Sequence, residues 1–474
     1  MNRNTLLTIG GCFAIVACGG GGGEATAGID GRGTPSRVAT VSRGTITGFG
    51  SVIVNGVRYD TSNASFDIDG VAGAESDLAV GQVVTIQGST DENGQDARAD
   101  SVSFDALLEG PVESIDVSAQ SFVVLGQTVI VNNDTIFDDD FVPQDIEGLA
   151  PNDVVEISGF FDANDNIRAT YVDLEQNAGD FEVSGIVSNL DAGNLSFEIN
   201  GLTVDFSNAN LSGFPNGAPE NGQQVEAEGT LGGGGELLAT SVELEDNDLG
   251  AAAGDDAEVE GIITRFVSAA DFDVNGVPVT TNASTSFDDG SSTDLALNVA
   301  IEVEGEVNAS GVIVAESIDF EQVGTLELRG IVEAVGTSSI TLLGITATVA
   351  AETSLDDQSS ADLASFALSN VSVGDYVEVR GFDDSGTLTL TGLERDDDEG
   401  DSGLQGPITA ISNPDFTALG VTVRTTVDTE FEDANENEID AATFFAGALN
   451  EVVEVDGSFA SGVLTAEEVE VEDD

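Results

Sequence analysis

The stretch GPVESIDVSAQSFVVLGQTVIV, residues 110–131, decides the fold. Apolar and polar residues alternate in its short runs, and Gly126 separates the second run from the third. Alternation of this kind is typical of a strand with one buried face. A glycine between two such runs is typical of a tight hairpin that needs positive φ. The stretch therefore predicts three consecutive strands, at residues 111–115, 121–125 and 128–131.

The residues that follow complete a small unit. Residues 134–151 are predicted to form a loop with a helical turn, and residues 154–160 and 167–174 to form a fourth and a fifth strand. In the fourth strand, alternation places Val155 and Ile157 on the core face and their polar neighbours, Glu156 and Ser158, on the other. Five short strands that must hide their edges predict a small β-barrel, and the loop between strands three and four is similar to the OB fold.

Three glycine landmarks recur in one order six times along the chain. The first lies in a β-like run, the second in a turn such as VNGV, and the third closes an alternating run such as VVEISG. In order, the landmarks are Gly44, Gly110, Gly185, Gly261, Gly330 and Gly406; Gly56, Gly126, Gly201, Gly276, Gly344 and Gly420; and Gly88, Gly159, Gly229, Gly305, Gly381 and Gly457. Such self-similarity indicates tandem repeats. The predicted fold class is all-β, a tandem array of about six small five-stranded OB-like β-barrel modules.

The landmarks also predict the domain boundaries. The six copies span residues 42–105, 106–178, 179–246, 257–322, 323–395 and 403–474. Residues 247–256 and the acidic residues 396–402 read as linkers. Because units of this length can bury their own cores, we expect beads on a string that flex at the two linkers, with the acids outside in water.

The N-terminus has the features of an export signal. Residues 1–17 place Arg3 before an apolar stretch that is too short to span a bilayer. The sequence IVACG, residues 15–19, resembles the lipobox of bacterial lipoproteins. The resemblance implies that Cys18 is lipidated and anchors the chain to a membrane, with residues 18–41 as a flexible spacer. Because the residue after the cysteine is Gly19, it also implies the outer membrane, with the periplasmic and surface faces both left open.

Copy one carries a family resemblance. Its segments GTITGFGSVIVNGVRYDTS, residues 44–62, and DLAVGQVVTIQG, residues 77–88, resemble a family of uncharacterised repeats in Gram-negative lipoproteins, a domain of unknown function. Copies two to six keep the glycines and strands but lose the sequence GFGSV. The resemblance implies a lipoprotein with β-barrel repeats and implies no activity.

Composition narrows the function further. The chain has 12 Arg and Lys, all of them Arg, against 88 Asp and Glu, which gives a net charge of −76. Nucleic acid is excluded as a partner because its binding rests on basic residues that neutralise phosphate. The charge is compatible with solubility in a salty medium and with binding of divalent cations.

The missing residue types bear on catalysis. Histidine and lysine are absent, and the only cysteines are Cys12, in the removed segment, and Cys18. The commonest general base, the commonest zinc ligand, the Schiff-base amine and the thiol nucleophile are therefore missing. We predict that the protein is not an enzyme; a carboxylate pair that hydrolyses glycans is the alternative left open.

Calcium is the one ion that the sequence suggests, and no other cofactor is predicted. Two segments share a D-x-N-x-N arrangement whose alternate oxygens can surround a hard cation. These candidate ligands are Asp162, Asn164 and Asn166, and Asp433, Asn435 and Asn437. Neither segment has the glycine or the final glutamate of an EF-hand, so polar hairpin residues are the competing interpretation.

Repetition without a singular site favours a non-enzymatic lipoprotein of the cell envelope. Its barrels would act as scaffold, spacer or binding surface for a protein or glycan partner. A calcium-dependent adhesin or glycan-binding surface protein is the alternative from another class. If the copies are independent, deletion of one internal copy leaves the others folded.

Overall fold

The computed structural model describes residues 37–91, 97–138, 140–175, 180–245, 249–361, 363–384, 386–397, 400–434 and 437–472. The predicted signal peptide, Cys18 and most of the predicted spacer lie outside these residues. Within them, no helix is long and apolar enough to cross a membrane.

Short strands make up nearly all of the regular structure. Copy one contains β1 (Arg37–Gly48), β2 (Val52–Val54), β3 (Val57–Asp60), β4 (Ser65–Ile68), β5 (Val71–Gly73), β6 (Val83–Asp91) and β7 (Ala97–Phe104). Copy two contains β8 (Leu108–Asp116), β9 (Ser121–Val124), β10 (Gln127–Ile130), β11 (Ile136–Phe137), β12 (Val154–Phe161) and β13 (Ile167–Leu174). Copy three contains β14 (Phe181–Ile186), β15 (Ser188–Asp191), β16 (Ser196–Ile199), β17 (Leu202–Asp205), β18 (Asn210–Ser212), β19 (Gln224–Leu231) and β20 (Leu237–Leu244).

The second half of the chain repeats this plan. Copy four contains β21 (Asp256–Ser268), β22 (Asp271–Val274), β23 (Val277–Thr280), β24 (Ser286–Asp288), β25 (Ala300–Val307) and β26 (Ile313–Phe320). Copy five contains β27 (Leu326–Ile331), β28 (Ala334–Val335), β29 (Ser339–Leu342), β30 (Ile345–Asp357), β31 (Tyr376–Asp384) and β32 (Thr387–Asp396). Copy six contains β33 (Ser402–Ser412), β34 (Asp415–Ala418), β35 (Val421–Arg424), β36 (Glu430–Asp433), β37 (Asn437–Glu438), α1 (Ala441–Gly447), β38 (Val452–Ala460) and β39 (Val463–Val471). Short 3₁₀ turns lie at Glu75–Asp77, Val117–Ala119, Ile146–Gly148 and Leu368–Asn370.

Each copy is a small barrel, as the alternation predicts. In copy two, β8 pairs with β9, β9 with β10, β10 in parallel with β13, β13 with β12, and β12 again with β8. Counting the five principal strands, this ring has the order 1-2-3-5-4-1 of the OB fold. Copies one, four and six close in the same way, whereas the first strand of copies three and five is broken into β14 and β15, and into β27 and β28.

The second landmark glycine forms the expected hairpin in every copy. All six of these glycines have φ between 67° and 92°, and the residue before each has φ between 44° and 52°. Two consecutive residues with positive φ are the requirement of a type I′ turn. In copy two the turn joins β9 to β10, which confirms the hairpin predicted at Gly126.

The third landmark glycine has a role that alternation alone did not show. Each lies at a β-bulge inside a strand that continues beyond it, rather than at the strand's end; Gly159, for example, lies within β12. A Cβ at Gly159 would overlap the carbonyl oxygen of Arg168 on β13, and the other five glycines face an equivalent carbonyl. The glycine is required because the two backbones approach too closely for a side chain.

The prediction of beads on a string is wrong. Copies one and four share one thirteen-stranded sheet, sheet A; copies two and three share sheet B; and copies five and six share sheet C. Sheet A joins β1 in parallel with β21, sheet B joins β8 with β14, and sheet C joins β27 with β33, both antiparallel. Strands also extend into the predicted linker, residues 247–256, and the predicted spacer, residues 18–41. The strand β21 already begins at Asp256, and β1 begins at Arg37.

The prediction that the acids stand outside in water is also wrong for many of them. Val155 and Ile157 lie in the core as predicted, but Ser158 on the opposite face is 2% exposed and accepts a hydrogen bond from the backbone N–H of Val83 in copy one, at 2.8 Å. Glu156 on the same face is half-buried. The reason is that the outer face of one barrel is covered by other copies.

Candidate functional site

The two predicted calcium motifs form turns in which the aspartate bonds to its own chain. Asp162 is 2% exposed, and its Oδ1 accepts the backbone N–H groups of Asn164 and Asn166 at 2.7 and 3.0 Å. In the second motif, Asp433 Oδ1 accepts the backbone N–H of Asn437 at 3.1 Å, and Asn435 lies outside the described residues. These contacts are those of a polar hairpin turn, and calcium binding by the two motifs stays a prediction.

The structure places other acids together, in a row that crosses the junction of copies two and three. Five acids on β13, β12, β8, β14 and β19 are directly opposite one another in successive strand pairs: Asp173, Glu156, Glu109, Glu182 and Glu228. We call this row the acidic ladder. Residues opposite each other in a sheet point to the same face with their Cβ atoms about 5 Å apart, and like charges there destabilise the pairing.

The pKa values of the ladder acids are raised by their burial and by their repulsion of one another. Burial, and after it the neighbouring acids, raise the pKa of Glu156 to about 8, that of Glu109 to about 7 and that of Asp173 to about 6. The Asp69 carboxylate of copy one adds to the repulsion on Glu109 and Glu156. Repeats two and three contain one basic residue between residues 106 and 246, Arg168. Its partner is Asp162, at 3.8 Å.

One end of the ladder forms a compact carboxylate cluster. Carboxylate oxygens of Glu182, Glu226 and Glu228 all lie within 4.8 Å of one another. Glu226 stands diagonal to Glu182 across β14 and β19, and it also hydrogen-bonds to Glu245. Burial and the other acids raise the pKa of Glu226 to about 8 and raise that of Glu182 as well. Among the described residues, this is the one cluster of at least three acids with the spacing of metal ligands.

Sheet C carries the same row at the same register with different residues. Its members on β32, β31, β27, β33 and β38 are Glu394, Glu378, Arg329, Gly403 and Asp456. Arg329 replaces Glu109 at the centre; it pairs with Glu454 at 3.0 Å and with Asp456. Arg380 pairs with Glu378 at 2.8 Å. Arginines therefore compensate the row in sheet C.

In sheet A, two buried acids are accommodated in a third way, by a hydrogen bond between their carboxyl groups. Glu258 on β21 and Glu302 on β25 hydrogen-bond to each other through their carboxyl groups. Such a contact requires that one of the two carries a proton. Burial raises the pKa of Glu258 to about 7, and burial together with Glu258 raises that of Glu302 to about 10. Nearby Glu260 accepts the backbone N–H of Thr45 in copy one at 2.6 Å, which joins the two copies.

A cavity of about 650 Å³, lined by both apolar and charged residues, lies among copies one, two, four and five. Glu260 and Glu302 line it from sheet A, and Glu394 and Arg380 line it from sheet C. At its wall, Asp134 of copy two accepts the backbone N–H of Gly324 at 2.7 Å and the hydroxyl of Thr391 at 2.6 Å. The cavity therefore lies where four barrels meet, rather than inside one of them.

Sequence reasoning missed the ladder, the glutamate pair and the cavity. Each ladder glutamate lies in an alternating run that reads as a strand with one face in water. The sequence held one signal: glutamates recur in the strand segments of copies two and three, and these two copies contain a single basic residue. Its meaning depends on which copies share a sheet, and the order of copies along the chain does not give that.

Comparison with known proteins gives one result. The sequence profile of a family described as a domain of unknown function (DUF5666) matches six segments, residues 40–102, 109–173, 184–243, 260–319, 329–390 and 405–470. No curated protein matches the chain. The six matched segments coincide with the six barrels, and together they cover more than half of the chain.

Proposed function

The chain belongs to the family described as a domain of unknown function (DUF5666), and we propose that it is a non-catalytic, lipid-anchored protein of the outer membrane. In this proposal its six barrels form one platform for a protein or glycan partner. The observation that carries the platform is the sharing of three sheets by six copies. The resemblance of residues 15–19 to a lipobox supports the anchor.

The contacts between sheets support a platform that holds its shape. Ser158 of sheet B bonds to sheet A, and Asp134 of sheet B bonds to sheet C. Ala163 donates its backbone N–H to Asn298 of sheet A at 2.7 Å. The contacts of Ser158 and Asp134 are partly buried, and such hydrogen bonds fix relative positions because breaking them leaves desolvated polar atoms unpaired. Partner-binding loops on such a body keep fixed distances, which independent beads would not provide.

The anchor is tested by replacing the cysteine. We expect the full chain, expressed in a Gram-negative host with radiolabelled palmitate, to be labelled and to sediment with membranes. Cys18→Ser should abolish the label and release the protein, while Cys12→Ser, the matched control inside the signal peptide, should change neither. An unlabelled wild-type chain, or a Cys18→Ser chain that keeps its label, would refute the lipid anchor.

The platform is tested by deleting copy four, residues 257–322. Because β1 pairs with β21 and Thr45 bonds to Glu260, we expect copy one to lose protection although its own sequence is intact. Limited proteolysis with mass spectrometry should show new cleavage within residues 37–104. If these residues stay as resistant as in the full chain, the copies are independent and the platform is wrong.

A calcium-dependent adhesin or glycan-binding surface protein remains the second candidate, and the carboxylate cluster at Glu182 is the observation that favours it. Cells that display the full chain should then adhere to glycan-coated surfaces in millimolar calcium and detach in EDTA. Adhesion that is equal under both conditions, or equal to that of cells without the protein, would refute this candidate.

A further inference from the structure

The carboxylate cluster at the end of the acidic ladder contains an oxygen that has no partner. Glu182 is 6% exposed, so its side chain is more than nine-tenths buried. Its Oε1 is closed to solvent and has no hydrogen-bond partner. A buried charged oxygen without a partner is costly, and native proteins leave few of them. The oxygen therefore points to a bound group that supplies positive charge.

The neighbours of Glu182 indicate which kind of group fits. Carboxylate oxygens of Glu182, Glu226 and Glu228 lie within 4.8 Å of one another. Calcium binds oxygen at about 2.3–2.6 Å, so two oxygens on one ion are separated by at most about 5 Å. Glu226 and Glu228 are half-exposed, which leaves an entry path and room for water to complete the six to eight oxygens that calcium takes.

Unlike the row in sheet C, these three carboxylates have no arginine among the groups that act most strongly on them; Arg43 of copy one acts on Glu245, the hydrogen-bond partner of Glu226. The groups that act most strongly on Glu182 are Glu226, Asp69, Glu228 and Glu156, all of them acids. The equivalent row in sheet C has Arg329 within 3.0 Å of Glu454. Glu454 occupies the register position of Glu226, since it pairs with Gln405 as Glu226 pairs with Ser184.

We propose that Glu182, Glu226 and Glu228 of copy three bind one Ca²⁺ ion beside the junction with copy two. The ion bridges β14 and β19 and neutralises the end of the acidic ladder next to β8 of copy two. It takes the place that the arginine holds in sheet C. The site is separate from the two D-x-N-x-N turns, whose aspartates are bonded within their own turns.

The test is calcium binding by the purified full chain. The detergent-solubilised protein is stripped with EDTA and then titrated with CaCl₂ in 150 mM KCl, with calorimetry and equilibrium dialysis of ⁴⁵Ca²⁺ as readouts. The salt suppresses loose counterion binding to a chain of net charge −76. We expect Glu182→Gln to bind one ion fewer per chain than wild type, and Mg²⁺ to bind at least tenfold more weakly than Ca²⁺.

Three further variants keep the result decisive. Glu228→Gln changes a half-exposed residue, leaves the fold intact by circular dichroism, and should also lose one ion. Glu454→Gln is the matched control in sheet C and should keep the wild-type stoichiometry, as should Asp162→Asn if the turns are not the site. The proposal is overturned if wild type binds no calcium, or if Glu182→Gln and Glu228→Gln bind as many ions as wild type.

Discussion

Sheets B and C are built alike, yet they stabilise the same row of acids in different ways. At two equivalent positions sheet B has Glu109 and Glu182, whereas sheet C has Arg329 and Gly403. The two differences belong together, because a Cβ at position 403 would crowd the Nε atom of Arg329. The arginine lies across the glycine to reach Asp456. The comparison teaches that the arginine of sheet C and the space for its side chain changed together in the sequence.

Sheet A shows that a proton can serve the same purpose. Glu258 and Glu302 share one, and no arginine is among the groups that act most strongly on either carboxyl. The three sheets thus keep one barrel fold while they neutralise their acids by arginine in sheet C, by a proton in sheet A and, as we propose, by calcium in sheet B. These differences lie at or near the junctions, where the outer faces of two barrels are covered by each other.

The largest effect is expected from removing the arginine of sheet C. Arg329→Met keeps most of the apolar stem but removes the arginine that pairs with Glu454 and Asp456, while Glu327 keeps the neighbouring Arg380. Loss of one member of a half-buried ion network should lower the free energy of unfolding by about 3 kcal/mol. Urea denaturation followed by circular dichroism measures this change.

The matched control for that variant is Arg424→Met in the same sheet. Arg424 pairs with Asp415 at 2.9 Å, but its side chain is 53% exposed, so water replaces the arginine when it is removed. We expect no measurable change in the urea midpoint. Equal losses from Arg329→Met and Arg424→Met would show that burial of the row does not matter.

A second, smaller effect on stability should be equal in sheets B and C, because both sheets have the glycine at the β-bulge. Gly159→Ala in sheet B and Gly381→Ala in sheet C each force a methyl group against a backbone carbonyl at the bulge. Overpacking of this kind should cost about 2 kcal/mol in each sheet. Gly233→Ala is the control, since nothing lies within 4 Å of a Cβ at that position. Urea midpoints that do not distinguish Gly159→Ala from Gly233→Ala would refute the close approach.

What the sequence could predict follows from the range of the interactions. The type I′ turn at Leu125 and Gly126 and the strands of copy two are local, so alternation and turn chemistry predict them within a few residues. The neighbours of Glu109 and Glu182 are set by which barrels pair, and the pairing of copies one and four skips two copies along the chain. No periodicity in the sequence carries that information. The candidate site was therefore missed, and the D-x-N-x-N turns, which are local, were noticed instead.

A third experiment introduces the arginine and the glycine of sheet C at the equivalent positions of sheet B. The double variant Glu109→Arg with Glu182→Gly reproduces Arg329 and Gly403. In EDTA it should be more stable than wild type by about 1.5 kcal/mol, the worth of a hydrogen bond to a charged group. Glu109→Arg alone should gain less, because the Glu182 side chain occupies the space that the arginine needs. Thermal melts in EDTA that rank the double variant below wild type would refute the equivalence of the two rows.

The smallest effect is expected for Glu302→Gln in sheet A. Its effect on stability should be near zero at acidic pH and should grow as the pH rises. The pair of Glu258 and Glu302 has pKa values of about 7 and about 10, above the value of roughly 4.3 for a glutamate in the unfolded chain. Glu260 and Glu321 also act on Glu302 and favour its protonated form. Between the unfolded and folded pKa values the folded state binds more protons, so wild type loses stability as the pH rises through this window.

Glutamine has an N–H group where the protonated carboxyl has its O–H, so Glu302→Gln keeps a donor to Glu258 and does not need the proton. At pH 5 the urea midpoints of the variant and wild type should nearly agree, and at pH 9 the variant should be the more stable, both in EDTA. Glu306→Gln, which changes an exposed residue of the same strand that is not among the groups acting most strongly on Glu258 or Glu302, should follow the wild-type pH dependence. A wild-type midpoint that rises from pH 5 to pH 9, or a variant that falls as steeply as wild type, would show that the proton is not what holds this junction together.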